Sequence, residues 1–100
     1  MDFLYKYDIT DEDIKEITER NGEAIIKNIT LNKDNVMEVI DYLLEVGVNK
    51  TVIRDFFVEQ IGMFFRTKDE IADVFDEYEI DSIVKSFNYD VNTVDQIDFV

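Results

Sequence analysis

Carboxylates are the one chemically versatile side chain this sequence holds in quantity. Its 100 residues include 24 Asp and Glu against 10 Lys and Arg, with no His and no Cys. Without imidazole or thiol, the usual general base, thiolate nucleophile and soft metal ligands are missing. Ser82 and Ser86 are the only serines, and no histidine can activate either. Gly22, Gly47 and Gly62 stand apart, so no glycine-rich loop can cradle a phosphate. A carboxylate pair is the remaining catalytic option, and among so many acids some pairs fall close by chance. The expectation is a protein that is not an enzyme, with no catalytic residue and no cofactor.

Oxygen-rich sequences also raise the question of calcium. The nearest approach to a calcium loop is Asp90-x-Asn92-x-Val94, which lacks a glycine at loop position six and runs out before position twelve. Asp11, Glu12 and Asp13 open a helix, where carboxylates favour the positive end of the dipole. No metal ligand is expected at either place.

The acids are unevenly spread. Residues 1–68 carry 14 acids and 9 bases, a net −5, and residues 69–100 carry 10 acids and 1 base, a net −9. Such a surface repels nucleic acid and anionic membranes and attracts basic proteins or cations. Asp69, Asp73 and Asp76 fall on one helical stripe opposite Ile71, Val74, Phe75 and Tyr78, with Glu70 and Glu77 flanking and Glu79 and Asp81 extending the run. From Asp69 to Glu77 five carboxylates span about 13 Å of helix, roughly one per 2.7 Å. Duplex DNA carries about one charge per 1.7 Å. These seven acids are the candidate partner-binding residues, and the partner they imply is a basic protein, including one that itself binds nucleic acid. The competing reading is an ordinary solvated face.

The elements that position this face announce their starts. Thr10 as N-cap places Asp13 at N3, with Ile9 and Ile14 as the apolar staple. Asn32 pairs Leu31 with Val36, Asn49 pairs Val48 with Ile53, and Thr67 with Glu70 forms a capping box. Asp81 and Asn92 mark two further starts. Val36, Val39, Ile40, Leu43 and Leu44 share one stripe, and Gly47 stands where a left-handed helix end needs glycine. The spacing predicts helices near 11–20, 23–28, 33–46, 50–60, 68–78 and 82–88, with a short turn at 93–98. The apolar positions Val52, Ile53, Phe56, Phe57, Val58 and Ile61 cover most of their helix, which should therefore be central or meet a partner with half of its surface.

The segments also repeat. Ile14-Lys15-Glu16-Ile17 matches Ile53-Arg54-Asp55-Phe56 at an offset of 39, as Ala24-Ile25-Ile26-Lys27 matches Met63-Phe64-Phe65-Arg66. Lys33-Asp34-Asn35-Val36 matches Lys68-Asp69-Glu70-Ile71 at an offset of 35, as Val39-Ile40-Asp41 matches Val74-Phe75-Asp76. A four-residue deletion reconciles the offsets. The expected architecture is all-α, one domain over 1–100, a small bundle or short solenoid with units at about 10–47 and 48–80 and a partial unit over 81–100.

In the run Leu43-Leu44-Glu45-Val46-Gly47-Val48-Asn49, followed by Ile53 and Phe57, the chain resembles the helical repeat of mitochondrial transcription termination factor proteins. The turn Asn21-Gly22-Glu23-Ala24 sits where that repeat usually has a proline. The resemblance covers residues 10–80 and implies a stack of helical repeats. In that family it also implies nucleic-acid binding along a basic concave face, which this chain, with no proline and little positive charge, does not carry over.

No apolar run approaches the roughly 20 residues of a membrane span, the longest being Ile61-Gly62-Met63-Phe64-Phe65. No secretory signal is visible at Met1-Asp2-Phe3-Leu4-Tyr5-Lys6, so a soluble, cytoplasmic protein is expected. The leading functional expectation is an acidic interaction module, in one form an inhibitor that mimics nucleic acid, of the anti-restriction or anti-CRISPR type. The alternative is a helical scaffold or dimerising adaptor, a homodimer included, working through an aromatic face of Phe56, Phe57, Phe64 and Phe65.

Overall fold

The first helix begins where its cap is strongest. In the computed structural model, which describes residues 1–97, the Thr10 hydroxyl accepts from the Asp13 N–H while the Asp13 carboxylate accepts from the Thr10 N–H. Helix α1 runs Asp11–Asn21, α2 Glu23–Leu31, α3 Lys33–Val46, α4 Lys50–Glu59, α5 Lys68–Asp76 and α6 Ile80–Tyr89. Short 3₁₀ helices cover Asp2–Tyr7, Ile61–Phe65 and Val91–Gln96. Every regular element among the described residues is helical, and the protein is all-α. None of these helices is long and apolar enough to cross a membrane.

Helix α4 is central. It packs on α1, on α3, and on the 3₁₀ helices Ile61–Phe65 and Val91–Gln96. Val52, Ile53, Phe56 and Phe57 are buried, as the near-complete apolar coverage of this helix predicts. The order helix, short helix, helix occurs over α1–α3 and again over α4–α5. The short member has nine residues in α2 and five in Ile61–Phe65, a difference of four that equals the change of offset from 39 to 35. Overall extents of 34 × 23 × 22 Å leave no room for a long superhelix.

Aromatic rings link these layers. Phe57 stacks on Phe64 with centroids 4.0 Å apart, and Phe56 meets Phe64 and Phe87 edge-on at 6.4 and 5.2 Å. Phe75 follows at 5.8 Å from Phe87, and Tyr42 at 6.0 Å from Phe75. Polar side chains tie the backbone where helices meet. Asn21 Nδ2 donates to the Ile17 and Phe57 carbonyls, and Asn88 bridges the Gly47 carbonyl and the Asn49 N–H. Gly47 takes the left-handed conformation (φ 112°) expected at the end of α3.

Several boundaries differ from expectation. The 3₁₀ helix Asp2–Tyr7, which buries Leu4 and Tyr7, has too few residues to show a period. Asn32 makes no side-chain cap: its backbone (φ −107°, ψ 22°) is not extended, because α2 continues to Leu31, and Leu31 is 76% exposed and no staple. Asn49 is extended at its cap position without a side-chain cap bond. At Thr67 the hydroxyl accepts from the Glu70 N–H, which is half of a capping box. Helix α5 stops at Asp76, since the Glu77 and Tyr78 amides turn back to carbonyls three residues earlier. Helix α6 starts at Ile80, which packs on the core, so Asp81 lies in its first turn and Glu79 at its cap. Asp90, not Asn92, caps the last 3₁₀ helix, its carboxylate accepting from the Asn92 N–H. Residues 98–100, the end of the expected turn and of the partial unit, lie outside the described residues.

Candidate functional site

Two helices carry the candidate surface. On α5, Asp69, Asp73 and Asp76 lie opposite the buried Ile71 and Phe75. On α3, Asp34, Glu38, Asp41 and Glu45 follow at i, i+4, i+7 and i+11, opposite the buried Val36, Val39, Ile40 and Leu43. A period of 3.6 residues places each set along one line. All seven carboxylates are exposed. The α3 line escaped the sequence reading, although the offset of 35 already aligns Asp34 with Asp69, Glu38 with Asp73 and Asp41 with Asp76.

The two helices lie side by side and point the same way. Asn35, in the first turn of α3, donates Nδ2 to the carbonyls of Phe64 (3.3 Å) and Arg66 (2.9 Å), just before the Thr67 cap of α5. Further along, Tyr42 of α3 packs on Phe75 of α5. Burial pushes the Tyr42 hydroxyl up, and the carboxylates of Asp76 and Glu45 push it further. Beginnings therefore adjoin beginnings and ends adjoin ends, so the carboxylate lines run parallel. Packed helix axes lie about 8–10 Å apart. Seven charges within about 17 Å of helix amount to roughly one per 2.4 Å.

Two cations of this chain, Lys50 and Arg54, pair elsewhere. Lys50 reaches Asp8 at 3.2 Å, and Arg54 reaches Asp13 and Glu16 at 2.8 Å each and Asp55 at 3.4 Å. Among the described residues none of the seven stripe carboxylates, nor Glu70, Glu77, Glu79 or Asp81, belongs to an ion pair. Asp41 accepts a hydrogen bond from the Tyr7 hydroxyl at 2.9 Å. Burial first, and that bond second, raise the Tyr7 hydroxyl well above its ordinary value. No group of three or more acids among the described residues converges closely enough to hold a metal ion.

The remaining predicted residues divide. Glu70 lies in the first turn of α5 and Glu77 at its end, both exposed beside the stripe. Glu79 and Asp81 stand exposed at the start of α6. Phe56, Phe57 and Phe64 have no exposed surface, so the aromatic face expected as an alternative interface is core, and Phe65 alone reaches solvent at 41%. Beyond Glu79 a shallow groove of about 170 Å³ opens between α6 and the 3₁₀ helix Val91–Gln96, with Ile83, Phe87 and Ile97 lining it. No local sequence signal marks this groove, since it depends on how the last turn folds back on α6.

No family model, curated protein or solved structure matches the chain.

Proposed function

We propose that the protein is a non-enzymatic interaction module that docks, through α3 and α5, on the basic surface of another protein. The observation that carries this reading is the pair of parallel carboxylate lines, exposed and without an ion-pair partner among the described residues. Stability gives no reason for them. Like charges at i, i+4 cost a few tenths of a kcal/mol each. The apolar faces of both helices offset that cost, which leaves the charge free to act on a partner.

The fit is closest to a surface that evolved to hold nucleic acid. At roughly one charge per 2.4 Å the helix pair approaches the duplex value of about one per 1.7 Å. The concrete form is an inhibitor that occupies the basic groove of a DNA- or RNA-binding protein, as anti-restriction and anti-CRISPR inhibitors do. Its own charge of −14 disfavours direct contact with nucleic acid or anionic membrane.

The test is a pull-down from native host extract at about 50 and 300 mM salt, followed by titration of the purified partner with duplex DNA as competitor. The expected partner has a basic isoelectric point, binds at least tenfold more weakly at the higher salt, and is displaced by DNA. The double change Asp73→Lys with Asp76→Lys should abolish binding and leave helicity intact. A complex indifferent to salt and to that double change would reject the reading.

A further inference from the structure

Charge of this kind steers association and sets its rate, whereas affinity concentrates where a few side chains seat in desolvated pockets. The groove beside α6 offers such a pocket next to the acids. Building on the acidic docking reading, we propose that this groove receives one aliphatic or aromatic side chain of the basic partner. Lysines or arginines flanking that anchor meet Glu79 and Asp81.

Size, lining and charge all point to this occupant. The volume of about 170 Å³ is comparable to the roughly 150 Å³ apolar cavity known to hold a benzene ring. Ile83 and Phe87 are buried apolar side chains at its base. Two of the four hydroxyls that line it are engaged with backbone: Ser86 Oγ donates to the Ser82 carbonyl at 2.9 Å, and Thr93 Oγ1 to the Asp90 carbonyl at 2.8 Å. An entering apolar group therefore deprives neither hydroxyl of its partner. Glu79 lies on the rim, and Asp81 follows in the first turn of α6. A flanking cation is attracted there, whereas a second copy of a chain with net charge −14 brings charge of the wrong sign.

The experiment compares two capped heptapeptides of six lysines, one with phenylalanine at the centre and one with glycine, on the full chain at low salt. Their charge is equal, so any difference reports the anchor. The phenylalanine peptide should bind roughly tenfold more tightly and shift the amide resonances of Ile83, Ser86 and Phe87. Ser86→Trp, which fills the groove from an exposed position, should reduce its affinity to that of the glycine peptide and leave the glycine peptide unaffected. Ser82→Trp, one turn earlier, serves as a second variant where circular dichroism shows loss of helix in the first.

Equal binding of the two peptides to the unaltered protein overturns the groove assignment and leaves the acidic reading standing. Binding of neither peptide overturns both. A sedimenting dimer that Ser86→Trp converts to monomer assigns the groove to a second copy of the chain and overturns the proposal.

Discussion

At Arg54 one guanidinium bonds two carboxylates across the seam between α1 and α4, Asp13 and Glu16 at 2.8 Å each, and stands 3.4 Å from Asp55 of its own helix. The Arg54 side chain is 38% exposed, so solvent screens these pairs, and each contributes about 0.2–1 kcal/mol. Arg54→Met should therefore cost only about 1 kcal/mol in denaturant unfolding. Thr10→Ala, which removes the cap acceptor, should cost about the same. The two nearby acids respond oppositely to pH. The Thr10 N–H first, and then the Thr10 hydroxyl and Arg54, hold the Asp13 carboxyl below its ordinary value, against some burial. Its stabilising effect is present above about pH 4, the unfolded value, and is lost as pH falls through the lower folded value. Burial raises Asp55, helped by Glu59, Glu16 and Asp13 and opposed by Arg54. The stability linked to its protonated form is present below about pH 4 and disappears as pH rises through the raised folded value. Asp55→Asn should accordingly raise the melting temperature at pH 7, with the gain shrinking toward pH 3.5. A constant gain at both pH values would show that burial of the charge is not its source.

At the scale of elements, Asn35 sets the alignment of the two acidic helices. Its amide satisfies two backbone carbonyls at the approach to α5, so Asn35→Asp would direct a carboxylate at the Phe64 and Arg66 oxygens. A loss of about 2 kcal/mol is expected, with faster hydrogen exchange confined at first to amides near the start of α5. Uniform exchange throughout the molecule would argue against this local role. Phe56, at the junction of two edge-on ring contacts, should lose about 3–5 kcal/mol on change to Ala, a folding effect that no partner is needed to explain. The helices and the central place of α4 were legible because apolar spacing of 3.6 residues depends on local sequence alone. The caps were legible where a hydroxyl met an extended backbone, at Thr10 and Thr67, and failed at Asn32, where α2 ran on without an extended residue. The α5 stripe was legible, and its twin on α3 was present in the same spacing. That the two lie parallel was not legible, because Asn35 and Tyr42 find their partners about thirty residues away. The burial of Phe56 and Phe57 was legible in the same apolar coverage that makes α4 central.

For the molecule as a whole, net charge opposes folding and, on the proposed reading, serves docking, and salt separates the two. At 10 mM ionic strength the screening length of about 30 Å approaches the 34 Å long dimension, so nearly every carboxylate repels every other. At 150 mM it falls to about 8 Å, which silences repulsion between distant parts of the surface. The isolated protein should therefore melt at a higher temperature in 150 mM salt than in 10 mM, while its affinity for a basic partner falls over the same interval. Asp73→Lys with Asp76→Lys should move both quantities as salt does, stabilising the free protein by a few tenths of a kcal/mol or more while removing binding. A solvated face with no further role requires only the first of these effects. Charge neutralised within the fold would give neither, and the double change would then lower the melting temperature. Thermal unfolding and partner titration on the same two proteins at the same two salt concentrations distinguish the three cases, because each assigns its own pair of signs.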